Sequence, residues 1–119
     1  MSGLIRSFGY ALNGIGICIS SGANFIIHII CFIVVMIAGY CFNISHTEWL
    51  MIFLCSGFVL AMEMINTSVE QLSDLVHKEI HPAIKIVKDI AAGAVLLSAL
   101  TALACGSIIF IPKIILLIK

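Results

Sequence analysis

WLMIFLCSGFVLAMEMINTSVEQLSD, residues 49–74, opens as a membrane-spanning helix and closes on three carboxylates and an asparagine. On a helix turning about 100° per residue, with Glu63 at zero, Asn66, Glu70 and Asp74 fall near about −60°, −20° and +20°. The four polar groups therefore share one face. A charge near the bilayer centre costs a few kcal/mol, so a carboxylate at Glu63, directly after MIFLCSGFVLAM, marks a functional site.

The rest of the chain agrees with a membrane setting. Its 119 residues are 62% hydrophobic and 10% charged, and mean hydropathy is +1.24, outside the range of a water-soluble domain. Phe25–Phe42, Trp49–Ile65 and Ile90–Ile111 each approach or exceed the roughly 20 residues needed to cross a hydrocarbon core. The expected fold is an all-α membrane protein forming one domain over residues 1–119. It has a surface helix at about 3–22 and spans at about 25–42, 48–76 and 82–111. Leu4, Phe8, Leu12, Ile15 and Ile19 form the apolar stripe of the surface helix, weakened by five glycines between Gly3 and Gly22. Thr47 is the expected cap of the second span, Pro82 fits the first turn of the third, and Pro112 is expected to end it. The small residues of DIAAGAVLLSA, 89–99, suit close helix packing.

No signal-peptide pattern opens the chain. Five scattered cysteines without a CxxC spacing read as small apolar side chains, not a disulfide or zinc framework. A formal net charge of zero argues against a nucleic-acid surface. Arg6, Lys78, Lys85 and Lys88 place the N-terminus and the 77–88 connection on the cytoplasmic side. Lys113 and Lys119 then fall outside and are outvoted.

Chemically, Glu63 suits a general base at the hydrocarbon boundary, Asn66 can orient a partner one turn on, and Glu70 offers a hard oxygen to Mg²⁺. KIVKD, 85–89, brings Lys88 and Asp89 to the same level across the reversal. Carboxylates, a magnesium ligand and a lysine are what transfer from a nucleoside triphosphate requires. A plainer arrangement uses the same residues: Glu70, Asp74, Lys78 and Glu79 as a solvated helix end, and Glu63 paired with a lysine across the bundle. Spacing leaves both open. His77 and His81, four apart, lack further soft ligands for a metal site, and His28 reads as a hydrogen-bonded helix contact.

ExxNTSVEQLSDL at 63–75, followed by HPAIKIVKDIAAGAV at 81–95, closely resembles the signature of the small bacterial membrane lipid kinases, the diacylglycerol kinase and undecaprenol kinase family. The resemblance spans essentially the whole chain. It implies a homotrimer in the bacterial inner membrane, with active sites between subunits on the cytoplasmic side. ATP with Mg²⁺ would be the phosphoryl donor and a lipid alcohol, diacylglycerol or undecaprenol, the acceptor. By position it assigns Glu63 as catalytic base and Glu70 as magnesium and nucleotide ligand, with Asn66 and Asp74 as supporting polar groups. Lys88 and Asp89, Glu79, Ile80 and His81, and Tyr10 in FGYALNGI match nucleotide-contacting positions.

One segment departs from the pattern. Where the family carries K-x-E-x-N-F-R-I-H, this chain reads SSGANFIIH, 20–28, so Gly22 replaces a second magnesium-ligating glutamate and Ile26 an arginine. Three outcomes fit: a kinase with altered metal geometry, a different phosphotransferase or phosphatase, or a relative that binds lipid or nucleotide without turnover.

Overall fold

The computed structural model describes residues 2–119 as four helices: α1 (Ser2–Ser21), α2 (Ala23–Cys41), α3 (His46–Val76) and α4 (Pro82–Ile118). The last three are long and apolar enough to cross a membrane. Packing is closest between α3 and α4, with α2 against α3, while α1 touches α2 and α3. Only 11% of the apolar windows of α2 and α4, and 22% of that of α3, is buried within the chain, so most of the apolar surface faces outward.

The α2–α3 corner is fixed by local chemistry. Asn43 adopts the left-handed conformation at φ 54°, and the amides of Ile44 and Asn43 donate to Gly39 O and Tyr40 O, both at 3.2 Å. This double bond pattern closes the end of α2, with asparagine in the position glycine usually takes. The α3 cap is Ser45, not the expected Thr47. Glu48 N donates to Ser45 Oγ at 3.2 Å and Ser45 N to Glu48 Oε1 at 2.9 Å. Ser45 and Glu48 have the S-x-x-E spacing that satisfies two orphan amides at once, which Thr47 cannot do.

Above this corner Ile44, Ile52 and Ile109 form the buried apolar cluster, flanked by Phe32, Val35, Phe42, Trp49 and Phe110. The Phe42 and Phe110 rings meet edge-on at 5.9 Å, adding about 0.5–1.5 kcal/mol to their burial and tying the end of α2 to α4. Gly39 lies so close to Trp49 that a Cβ there would sit 2.9 Å from the indole.

Contrary to expectation, Pro112 does not end α4, which runs on to Ile118. Proline removes one backbone donor, but in an apolar helix neighbouring groups take up the freed bonding capacity. The missing Pro112 amide would have bonded Ile108 O; one residue on, Lys113 Nζ donates to Ile109 O at 3.3 Å and to Glu48 Oε2 at 2.8 Å, pinning this part of α4 to the start of α3. At the other end, Pro82 occupies the first turn of α4 as expected and His81 caps it, Nδ1 accepting from Ala83 N at 3.1 Å.

Candidate functional site

Residue 22 alone interrupts the helix between α1 and α2. Its extended backbone, φ −155° and ψ 138°, turns the chain so that Ser21, Gly22 and Asn24 face α3 beside the buried Phe25. Opposite them α3 presents Glu63, Thr67 and Glu70, and together these residues line a polar cavity of about 170 Å³.

Glu63 is only 5% exposed and Asn66 only 7%. Asn66 Nδ2 donates to Glu70 Oε1 at 3.0 Å, which fixes one carboxylate oxygen, while the buried Asn66 Oδ1 has no partner in the chain. A buried acceptor with nothing to accept from is costly, so it points to a ligand donor or cation at this position. Thr67 Oγ1 donates to the Glu63 carbonyl at 3.0 Å, turning its hydroxyl inward at the cavity wall. The nearest charged or titratable partner of Glu63 is His28, with Nε2 3.7 Å from Oε2. The lysine partner that a plainer arrangement required is therefore absent among the described residues.

The other residues singled out from the sequence lie elsewhere. Asp74, two turns beyond Asn66, accepts from Lys88 Nζ at 2.7 Å, so Lys88 is tied to α3. Asp89 accepts from Lys85 at 2.6 Å on the exposed face of α4, away from Lys88. Tyr10, Glu79, Ile80 and His81 are exposed, and none lines the polar cavity. His77 and His81 stack edge-on at 5.2 Å, but Nδ1 of His77 faces Glu79 O and Nδ1 of His81 serves as the cap. All five cysteines are free, Cys18 buried and Cys31 and Cys41 exposed. Sequence spacing missed Thr67, whose hydroxyl follows Glu63 by one turn, and Ser21, whose role depends on the bend at Gly22.

Among the described residues no three His, Cys, Asp or Glu side chains cluster as metal ligands. The donor set fits an ion that takes one protein carboxylate, Glu70, and completes its shell with water and phosphate, as Mg²⁺ does. A second, larger cavity of about 590 Å³ lies between α2, α3 and α4; His28, Ser56, Cys55, Cys105 and Phe110 are on its mostly apolar wall.

Three helices long and apolar enough to cross a membrane, with a buried carboxylate beside a polar cavity, define a membrane protein with one candidate site. Residues 9–110 match the family described as prokaryotic diacylglycerol kinase. The chain is 37% identical to the undecaprenol kinase of Bacillus subtilis (strain 168) over 109 residues, covering 92% of this chain and 89% of that protein. It is 34% identical to a diacylglycerol kinase of Synechocystis sp. (strain ATCC 27184 / PCC 6803 / Kazusa) over 112 residues, 93% of this chain and 64% of that longer protein. The chain belongs to the prokaryotic diacylglycerol kinase family and is a lipid kinase.

Proposed function

We propose that the chain transfers the γ-phosphoryl group of ATP, with Mg²⁺, to the primary hydroxyl of a membrane lipid alcohol. The observation that carries this reading is a buried carboxylate, Glu63, and a more exposed one, Glu70, two turns on along the same wall of a polar cavity in an otherwise apolar protein. The near end-to-end match to an undecaprenol kinase favours undecaprenol as acceptor, with diacylglycerol the other substrate to compare.

Glu63 takes the proton of the lipid hydroxyl, and its burial keeps bulk water from competing for it. Glu70, held by Asn66, would hold Mg²⁺, which when bound would supply positive charge against that of the phosphates. Lys88 supplies a cation one helix away, with Asp74 fixing its position. Most of the catalysis is positioning, because phosphoryl transfer offers the protein little covalent work. Tyr10, Glu79, Ile80, His81 and Asp89, exposed in a single chain, belong to a nucleotide site completed between subunits of a homotrimer. The outward-facing apolar surface of α2 and α4 supports such an assembly.

The end bearing Arg6, Lys78, Lys85 and Lys88 faces the cytoplasm of the bacterial inner membrane. Lys113 and Lys119, at the other end, are outnumbered by these four. The exposed stripe of Leu4, Phe8 and Leu12 lets α1 lie in the interface on the same side.

A second reading rests on Gly22. With no carboxylate opposite Glu70, the chain binds lipid or nucleotide without turnover. Labelled γ-phosphate transfer from Mg-ATP to undecaprenol and diacylglycerol in mixed micelles separates the two readings. Transfer lost in Glu63→Gln supports the kinase, and nucleotide binding without transfer at saturating Mg²⁺ supports the second reading.

A further inference from the structure

His28 belongs to neither part of the site described above, yet it stands between them. It lies one turn after Phe25 and Asn24, whose side of α2 closes the polar cavity, and is itself on the wall of the larger apolar one. Its Nε2 is 3.7 Å from Glu63 Oε2, and their side chains are 25% and 6% exposed. Glu63, by contrast, faces the polar cavity. The apolar cavity is otherwise walled by hydrocarbon, thioether, thiol and hydroxyl groups, so the imidazole is its one side-chain nitrogen group among the described residues.

We infer that His28 is the positioning residue of Glu63, holding the carboxylate at the boundary between the apolar and polar cavities, where a lipid hydroxyl and a nucleotide phosphate meet. This rests on the kinase reading given above. At 3.7 Å the contact is longer than a hydrogen bond, and a small rotation of either side chain closes it. An unguided buried carboxylate has several rotamers, of which few reach an acceptor oxygen. The imidazole selects among them.

In the transfer, the O–H bond of the lipid alcohol breaks and its proton goes to Glu63. The alcohol oxygen forms a bond to the γ-phosphorus, and the bond from that phosphorus to the β–γ bridging oxygen breaks with its electron pair, releasing ADP. His28 takes no part in these bonds. A neutral ring donating Nε2–H, or a protonated one, orients the carboxylate before the reaction, and Glu63 later returns its proton to water.

The test compares wild type, His28→Gln and His28→Phe in Mg-ATP transfer to undecaprenol and diacylglycerol in mixed micelles, with nucleotide binding measured alongside. His28→Phe is expected to lower kcat about 10- to 100-fold, the cost of a misplaced catalytic group, with KM for ATP and nucleotide binding unchanged. His28→Gln, which keeps a donor at similar reach, is expected to recover most of the rate. Equal kcat in His28→Phe and wild type overturns the inference, as does equal loss of kcat and nucleotide binding in both variants. In ¹⁵N-histidine-labelled protein, the His28 ring signals, identified by their loss in His28→Phe, are expected to move in Glu63→Gln. Their staying in place overturns the contact. A wild type that transfers no phosphate overturns the kinase reading, while the ring signals still decide whether His28 and Glu63 act as a pair.

Discussion

Asn66 holds Glu70 by a 3.0 Å hydrogen bond from Nδ2 to Oε1, and does so with its own Oδ1 buried and unpartnered. The amide has given its donor to the carboxylate and kept its acceptor for something the chain does not supply.

Replacing it with leucine keeps the approximate volume and removes both functions. If Glu70 receives the magnesium nucleotide, Asn66→Leu should raise the Mg²⁺ concentration needed for half-maximal transfer by about 10- to 100-fold, the usual effect of losing a group that orients a metal ligand. A magnesium titration at fixed ATP checks this. An unchanged midpoint separates Glu70 from the metal.

Gly22 offers the opposite manipulation. Its backbone is extended, and an added Cβ meets no atom within 4 Å, so Gly22→Glu introduces its Cβ without a clash. It places a second carboxylate at the edge of the cavity that Glu70 lines. The expected outcome is tighter Mg²⁺ dependence and faster transfer in the same micelle assay, with an unchanged thermal midpoint. A slower enzyme with the same midpoint would show that this cavity does not receive the metal.

Gly39 behaves differently although it is the same residue type. A Cβ there would sit 2.9 Å from Trp49 and 3.0 Å from Ile44 in the packed corner of α2 and α3. Gly39→Ala should cost about 1–3 kcal/mol of stability, as overpacking does. The emission of Trp49, the single tryptophan, should shift as the indole moves. Urea or thermal unfolding in detergent, followed by that fluorescence, measures both.

At the opposite end of α3 from the carboxylate site, Glu48 serves two partners, Ser45 N at 2.9 Å and Lys113 Nζ at 2.8 Å. Lys113→Met removes a partly exposed ion pair and a long bond to Ile109 O, and is expected to cost about 1 kcal/mol. Glu48→Ala also opens the capping box and should cost about 1–2 kcal/mol more. The order of thermal midpoints, wild type above Lys113→Met above Glu48→Ala, checks the double role.

Much of this arrangement is legible in the sequence because the membrane leaves few choices. Long apolar runs must be helices, and the helical period alone puts Glu63, Asn66 and Glu70 on one face. What spacing does not reveal depends on contacts between segments. The Ser45 cap competes with Thr47 two residues on, and Pro112 looks like a stop until Lys113 is seen bridging to Glu48, 65 residues away. His28 reads as an ordinary helix contact until α2 and α3 are packed, because nothing in SSGANFIIH states that it faces Glu63. Lys88 and Asp89 are neighbours in sequence yet turn to Asp74 and Lys85 respectively, since successive residues on a helix point about 100° apart.

The central claim is that Glu63 removes the proton of a lipid hydroxyl while ATP gives up its γ-phosphate. The most direct measurement is transfer of labelled γ-phosphate from Mg-ATP to undecaprenol and diacylglycerol by wild type and Glu63→Gln at matched protein and micelle concentrations. Labelled lipid phosphate is expected with wild type, and a fall of at least about 100-fold in Glu63→Gln, the scale of a lost general base. Equal transfer by both proteins would contradict it.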